Sequence, residues 1–146
     1  MVHLQPKASN HLRVLILGDI MGQAGLDFLE QNLPKLRLKY QPELVIANGE
    51  NITEGFGINQ KDFELLTKNL SVNVVTTGNH WNDQKNTINL VNNNKNLLIP
   101  ANMNNNPSID NGCIISTTHT SKVRFAVINL LGRFAMRGQH SCPFKT

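Results

Sequence analysis

The chain has 146 residues, of which 40% are hydrophobic and 5% aromatic, and this composition predicts one globular domain over residues 1–146 with a flexible start at residues 1–11. It contains no apolar run of the roughly 18 to 20 residues that a membrane helix needs and no apolar signal stretch, so we expect a cytoplasmic protein without a membrane partner. Two cysteines are too few for a disulfide framework or a zinc site of about four thiolates. Any bound metal would have oxygen and nitrogen ligands.

The net charge of +4 is unevenly distributed along the chain. Residues 1–83 carry 7 basic and 9 acidic side chains, whereas residues 84–146 carry 7 basic side chains and one acidic side chain. A basic half suits partners that bear phosphate, but the aromatic residues are too sparse for stacking on single-stranded nucleic acid. The composition therefore does not favour a nucleic-acid partner.

Apolar runs alternate with helical patterns along the first two thirds of the chain. Each run consists largely of aliphatic residues and ends in a polar turn that contains glycine, which is typical of parallel strands buried on both faces. The separating segments place leucines at helical spacing, and Pro34 interrupts the first of them. The predicted strands are 12–18, 44–47, a run within 72–80, and 97–99, and the predicted helices are 25–40, 59–69 and 84–93.

The last third of the chain has a different pattern. Residues 113–118 and 123–130 are predicted to form a hairpin, with His119 in the polar turn between its strands. The remaining residues show no clear periodicity and are expected to form a loop. Together these elements predict an α/β fold in which β-α-β units build a parallel sheet.

Polar side chains follow three of the predicted strands. Asp19 follows the first strand, Glu50 and Asn51 the second, and Asn79 and His80 the third. The carboxyl ends of parallel strands meet at one edge of a sheet, so these five side chains are expected to lie close together. Carboxylates, amide oxygens and an imidazole suit Mn, Fe or Zn. A bridging carboxylate such as Glu50 would suit two metals about 3.5 to 4 Å apart, which is an arrangement for phosphoester cleavage.

The motifs Gly-Asp, Asn-Gly-Glu-Asn and Gly-Asn-His-Trp-Asn-Asp, together with the later segments LIPAN and INLLGR, resemble the YmdB-like branch of the calcineurin-like metallophosphoesterases. The resemblance extends from Arg13 to the end of the chain. The wider superfamily has a histidine where Met21 stands and an aspartate in the place of Glu50-Asn51, and this difference is the pattern of the YmdB-like branch. The resemblance implies an α/β/β/α sandwich, of which this chain is the amino-terminal part.

The resemblance also implies a role for each residue at the strand ends. Asp19 would ligate the first of two divalent metal ions, Glu50 would bridge both, Asn51 would support the first and Asn79 would ligate the second. His80 would be the general acid for the leaving oxygen. Iron or manganese is the expected metal, with zinc or magnesium as further options, and the implied reaction is hydrolysis of 2′,3′-cyclic nucleotides by a metal-bound hydroxide.

Some of these roles have alternatives. Asn51 is also suited to a turn in which its side chain bonds the backbone. Asp83 is expected either to orient His80 or to cap the next helix. His119 and His140 are interpreted as a surface residue and a loop residue, respectively.

The sequence departs from the family by lacking two motifs that supply three further histidines in a domain nearly twice as long. We therefore expect an amino-terminal half with weakened metal binding and an exposed sheet face and strand edge, and hence a homo-oligomer or aggregate. The alternative function is an inactive remnant that binds phosphate or a partner without turnover.

Overall fold

The computed structural model describes residues 11–103, 109, 111–134, 136 and 140–146. The expected flexible start therefore lies, except for residue 11, outside the described residues. In the described part of the chain, no helix is long and apolar enough to cross a membrane.

The described residues form a four-stranded parallel sheet with helices between its strands, followed by a two-stranded hairpin. The strands of the sheet are β1 (Val14–Asp19), β2 (Leu44–Asn48), β3 (Val74–Thr76) and β4 (Leu97–Leu98), and those of the hairpin are β5 (Cys113–Thr117) and β6 (Arg124–Ile128). The helices are α1 (Gly22–Tyr40), α2 (Gln60–Glu64) and α3 (Thr87–Asn93), with a π-helical turn at Leu65–Asn69 and a 3-10 turn at Ala101–Met103.

The strands of the sheet follow one another in chain order, β1-β2-β3-β4, and every neighbouring pair is parallel. This order confirms the predicted β-α-β units. Each unit brings the carboxyl end of its strand to the same edge of the sheet.

The prediction that the first strand is buried on both faces is wrong. Among the described strands β1 lies at the edge of the sheet, and its alternate residues Val14 and Ile16 are 41% and 71% exposed. Their partners in β2, Leu44 and Ile46, lie deeper because β2 has a strand on each side. A run of aliphatic residues indicates a strand, but it does not show whether both faces are covered.

Helix α1 packs one face against the core through Leu26, Leu29 and Leu33. It starts three residues earlier than predicted and continues without a break through Pro34. The predicted helix 59–69 is present but divides into α2 and the π-helical turn. These differences move element boundaries and leave the order of elements unchanged.

The hairpin β5-β6 is antiparallel, as predicted, and packs on one face of the parallel sheet. Ile114, Phe125 and Val127 contact the cluster formed by Leu44, Val74 and Leu98. The other face of the sheet holds the larger core, which includes residues from α1, the π-helical turn and α3. The sheet is therefore covered by helices on one side and by a second, smaller sheet on the other.

Candidate metal centre

The carboxyl ends of β1, β2 and β3 meet at one edge of the sheet, and the predicted polar residues lie there. β1 and β2 are adjacent, with Asp19 in register with Asn48 after a register shift that begins beyond Leu17. Thr76 ends β3 beside Asn48 of β2. The segments that leave these strands, residues 49–51 and 77–80, are therefore neighbours.

Asp19 and Asn51 contact each other directly. The side-chain amide of Asn51 donates a hydrogen bond to Asp19 Oδ2 at 2.8 Å. The backbone carbonyl of Asn51 also accepts from the N–H of Gly22, at 3.0 Å, which ties this segment to the start of α1. Asp19 is exposed, so its carboxylate is open to a ligand from solvent.

Glu50 is held from several sides. Its backbone N–H donates to the side chain of Asn48 at 2.8 Å, and its backbone carbonyl accepts from Gly57 at 2.6 Å. Its Oε1 accepts from the backbone N–H of Asn79 at 3.0 Å. The side chain that forms the backbone-bonding turn is therefore Asn48, two residues before Glu50, and the side chain of Asn51 instead bonds Asp19.

Gly78 provides the space for the Glu50 carboxylate. A Cβ atom at position 78 would overlap the carboxylate carbon and both of its oxygens. Glu50 therefore lies directly on the backbone that precedes Asn79 and His80, and any side chain at position 78 would displace it.

His80 pairs with Asp83. The imidazole Nδ1 lies 2.5 Å from Asp83 Oδ2, and the Asp83 N–H donates to the His80 carbonyl at 3.2 Å. Helix α3 begins after Asn86, so the structure favours the orienting role of Asp83 over the capping role. A carboxylate on Nδ1 holds that nitrogen as a donor and leaves Nε2 for proton exchange with a ligand.

The described residues include three further histidines, His11, His119 and His140. His119 is exposed in the turn between β5 and β6, as predicted, and His140 is in the last segment. Among the described residues, no three His, Cys, Asp or Glu side chains gather closely enough to hold a metal ion. The carboxylates of Asp19 and Glu50 are hard oxygen donors. This donor set fits one side of a divalent-cation site.

The family described as YmdB-like protein matches residues 15–146 of the chain. The chain belongs to the YmdB-like family. It is 37% identical over 140 residues to a relative from Mycoplasma pneumoniae, a match that covers 94% of this chain and 47% of the relative. It is also 35% identical over 122 residues to the Bacillus subtilis 2′,3′-cyclic-nucleotide 2′-phosphodiesterase, covering 84% of this chain and 45% of that enzyme.

Solved structures show the same fold. A crystal structure described as a novel phosphatase from Mycoplasma pneumoniae superposes with a TM-score of 0.82 at 35% identity, covering 93% of this chain and 49% of that one. A hypothetical protein from Thermus thermophilus gives a TM-score of 0.80 at 30% identity, covering 92% of this chain and 50% of that one. The chain thus spans about half the length of the relatives it matches.

Three residues of this YmdB-like chain contribute to the site although the sequence did not single them out. Asn48 holds the backbone of Glu50, Gly78 makes room for its carboxylate, and Phe56 lies against His80. Asn48 and Gly78 belong to the motifs Asn-Gly-Glu-Asn and Gly-Asn-His, so the sequence already placed them next to the predicted site residues. The Gly-Phe-Gly sequence at residues 55–57 was a further signal, because it places an aromatic residue between two residues suited to tight turns.

Proposed function

We propose that this chain carries the phosphodiester-binding and acid-base half of a metal-dependent phosphodiesterase acting on small substrates such as 2′,3′-cyclic nucleotides. The observation that carries the proposal is the meeting of Asp19, Glu50 and the His80-Asp83 pair at one sheet edge. The relatives named as a 2′,3′-cyclic-nucleotide phosphodiesterase and as a phosphatase support the substrate class.

The proposed metal ligands are Asp19, Glu50, Asn51 and Asn79. Manganese or iron is the proposed metal, and such an ion, when bound, supplies positive charge that stabilises the charge developing on a phosphoryl group. Glu50 Oε1 already accepts from Asn79, so the carboxylate is fixed before any ligand arrives. Preorganised ligands lose less conformational entropy on binding than mobile ones.

His80 is proposed to give a proton to the leaving oxygen. Asp83 on Nδ1 holds the imidazole ring in one orientation, so Nε2 is the nitrogen that exchanges the proton. The half-buried ring still reaches solvent, because its side chain is 31% exposed. A departing sugar oxygen that takes a proton leaves without carrying full negative charge.

The test measures hydrolysis of bis(4-nitrophenyl) phosphate and adenosine 2′,3′-cyclic phosphate with added Mn²⁺, alongside metal content by elemental analysis. We expect turnover by the unaltered chain. Glu50→Gln should lower both metal content and rate, whereas His80→Gln should lower the rate at least roughly 10-fold and leave metal content intact. Glu54→Gln is the matched control, since Glu54 is an exposed carboxylate near Glu50 in the chain.

Distinct results would contradict separate parts of this proposal. Loss of metal in His80→Gln would reassign His80 as a ligand. Binding of metal or nucleotide without any turnover would instead support a non-catalytic binding protein. Equal rates for Glu50→Gln and the unaltered chain would remove Glu50 from the site.

A further inference from the structure

Phe56 is a large apolar side chain that remains exposed beside the candidate site. It is 56% exposed, and its ring centroid lies 5.1 Å from that of His80 with an interplanar angle of 73°. This edge-to-face geometry is a favourable arrangement of two aromatic rings. Phe28, Phe134 and Phe144 are also exposed, but no ring contact with His80 is found for them in the described structure.

The loop that carries Phe56 is closed by its own hydrogen bonds. The Phe56 N–H donates to the Thr53 carbonyl at 2.9 Å, and the Thr53 N–H donates to the Gly57 carbonyl at 3.0 Å. Glu54, Gly55 and Gly57 all have positive φ values, of 53°, 90° and 71°. The glycines reach this region without the strain that a Cβ would add. These hydrogen bonds and backbone conformations define the path of the loop and the position of the Phe56 backbone.

The same loop is fastened to the residues of the site. The Gly57 N–H donates to the Glu50 carbonyl at 2.6 Å, and the side chain of Gln84 donates to the Phe56 carbonyl at 2.6 Å. A Cβ at Gly57 would meet the His80 carbonyl oxygen at 2.9 Å, so the two backbones lie close together. The position of the Phe56 ring is therefore coupled to Glu50 and His80.

The Phe56 ring is exposed and lies next to His80, and its apolar surface leaves water only when a ligand covers it. We infer that Phe56 is the stacking surface for the nucleobase of the substrate, and hence a specificity-determining residue. This inference rests on the proposed function, which supplies a nucleotide whose phosphate reaches His80. A base of any identity has an aromatic face, so Phe56 would favour nucleotides over base-free phosphodiesters without selecting one base.

The test compares two ligands that differ in the base alone: adenosine 2′,3′-cyclic phosphate and the methyl riboside 2′,3′-cyclic phosphate. Dissociation constants are measured by NMR titration of the full chain in the presence of a chelator, so that no turnover is needed. The unaltered chain should bind the adenosine ligand about 5- to 150-fold more tightly, which is the range that stacking of one base provides.

Variants of Phe56 separate stacking from mere apolar contact. Phe56→Leu and Phe56→Ala should bind both ligands equally, and Phe56→Tyr should keep the preference for the base. Phe28→Leu, at an exposed phenylalanine of α1, is the matched control and should behave as the unaltered chain. Thermal melts check that the variants fold, and little change is expected because the side chain is exposed.

Several outcomes overturn the inference. Equal binding of the two ligands by the unaltered chain, binding of neither, or a base preference that survives in Phe56→Leu would each do so. A base preference in the unaltered chain without hydrolysis in Mn²⁺ would instead contradict the proposed function and leave the stacking role standing. Hydrolysis in Mn²⁺ without a base preference would contradict the stacking role of Phe56 and leave the proposed function standing.

Discussion

At the scale of single residues, the position of the Glu50 carboxylate depends on a residue that has no side chain. The carboxylate lies against the backbone of Gly78, and its Oε1 accepts from the N–H of Asn79 at 3.0 Å. The backbone N–H of Glu50 is bound by Asn48 as well. The site is therefore fixed by backbone geometry around Glu50 as much as by the acidic side chains.

Gly78→Ala is predicted to disrupt this arrangement. The new Cβ would occupy the place of the Glu50 carboxylate, so either Glu50 leaves or the loop before His80 shifts, and overpacking of this kind costs about 1 to 3 kcal/mol. We expect Mn²⁺ binding, measured by titration calorimetry, to weaken roughly 10- to 100-fold. Gly18→Ala is the control, since nothing lies within 4 Å of a Cβ there. Unchanged Mn²⁺ affinity in Gly78→Ala would show that Glu50 does not bind the ion.

The sequence predicted that the site residues share one edge of the sheet, but it did not predict the hydrogen bonds between them. Asp19, Glu50, Asn79 and His80 were placed together because the ends of parallel strands share an edge. The hydrogen bond from Asn51 to Asp19, and the Asx-type turn at Asn48, depend on side-chain rotamers and loop path. Strand periodicity does not specify these, so they required the structure.

At the scale of elements, helix α1 is joined to the segment that precedes β3 by an arginine. Arg37 donates through Nη2 to the carbonyl of Leu70 at 3.1 Å and also to the carbonyl of Ser71. Burial lowers the pKa of the Arg37 guanidinium. Arg37 is half-buried because its side chain donates to two carbonyls at the end of the π-helical turn.

Arg37→Ala is predicted to destabilise the fold. A hydrogen bond from a charged donor contributes about 1.5 to 3 kcal/mol, and the variant leaves the carbonyls of Leu70 and Ser71 without that donor. The midpoint of urea denaturation should fall, with an unchanged slope. Lys35→Ala is the control, because it removes an exposed basic side chain from the same helix and so measures the effect of an alanine substitution there. Equal midpoints for the two variants would mean that Arg37 contributes no more than an exposed base.

At the scale of the whole molecule, buried asparagines join the two sheets. Asn129, which follows β6, donates to the carbonyls of Thr77 and Leu98 at 2.8 and 3.0 Å. Asn111 donates from its buried side chain to the carbonyl of Val91 at 2.8 Å. These two asparagines are buried donors that connect distant parts of the chain. Thr77 leads into Gly78 and Asn79, so the hairpin also supports the site.

The exposed edge of the parallel sheet is expected to govern how the molecule associates with other copies of itself. In the part of the chain that the structure describes, β1 has a strand partner on one side, and Val14 and Ile16 are 41% and 71% exposed on the face that the hairpin covers elsewhere. An apolar edge strand offers unpaired backbone groups and hydrophobic contact area to another chain. We therefore predict self-association that increases with protein concentration, measured by light scattering after size-exclusion chromatography.

A charge at the edge should reverse that association. Ile16→Lys places an ammonium group on the exposed face of β1, and pairing with a second chain would then bury or crowd that charge. We expect the variant to be monomeric at concentrations where the unaltered chain associates. Ile88→Lys, at a position 40% exposed on α3, adds the same charge away from the edge and should leave association unchanged. A monomeric unaltered chain at every concentration would contradict self-association itself. If the two variants associate equally, the β1 edge is not the contact, because a charge at position 16 should block edge pairing and a charge at position 88 should not.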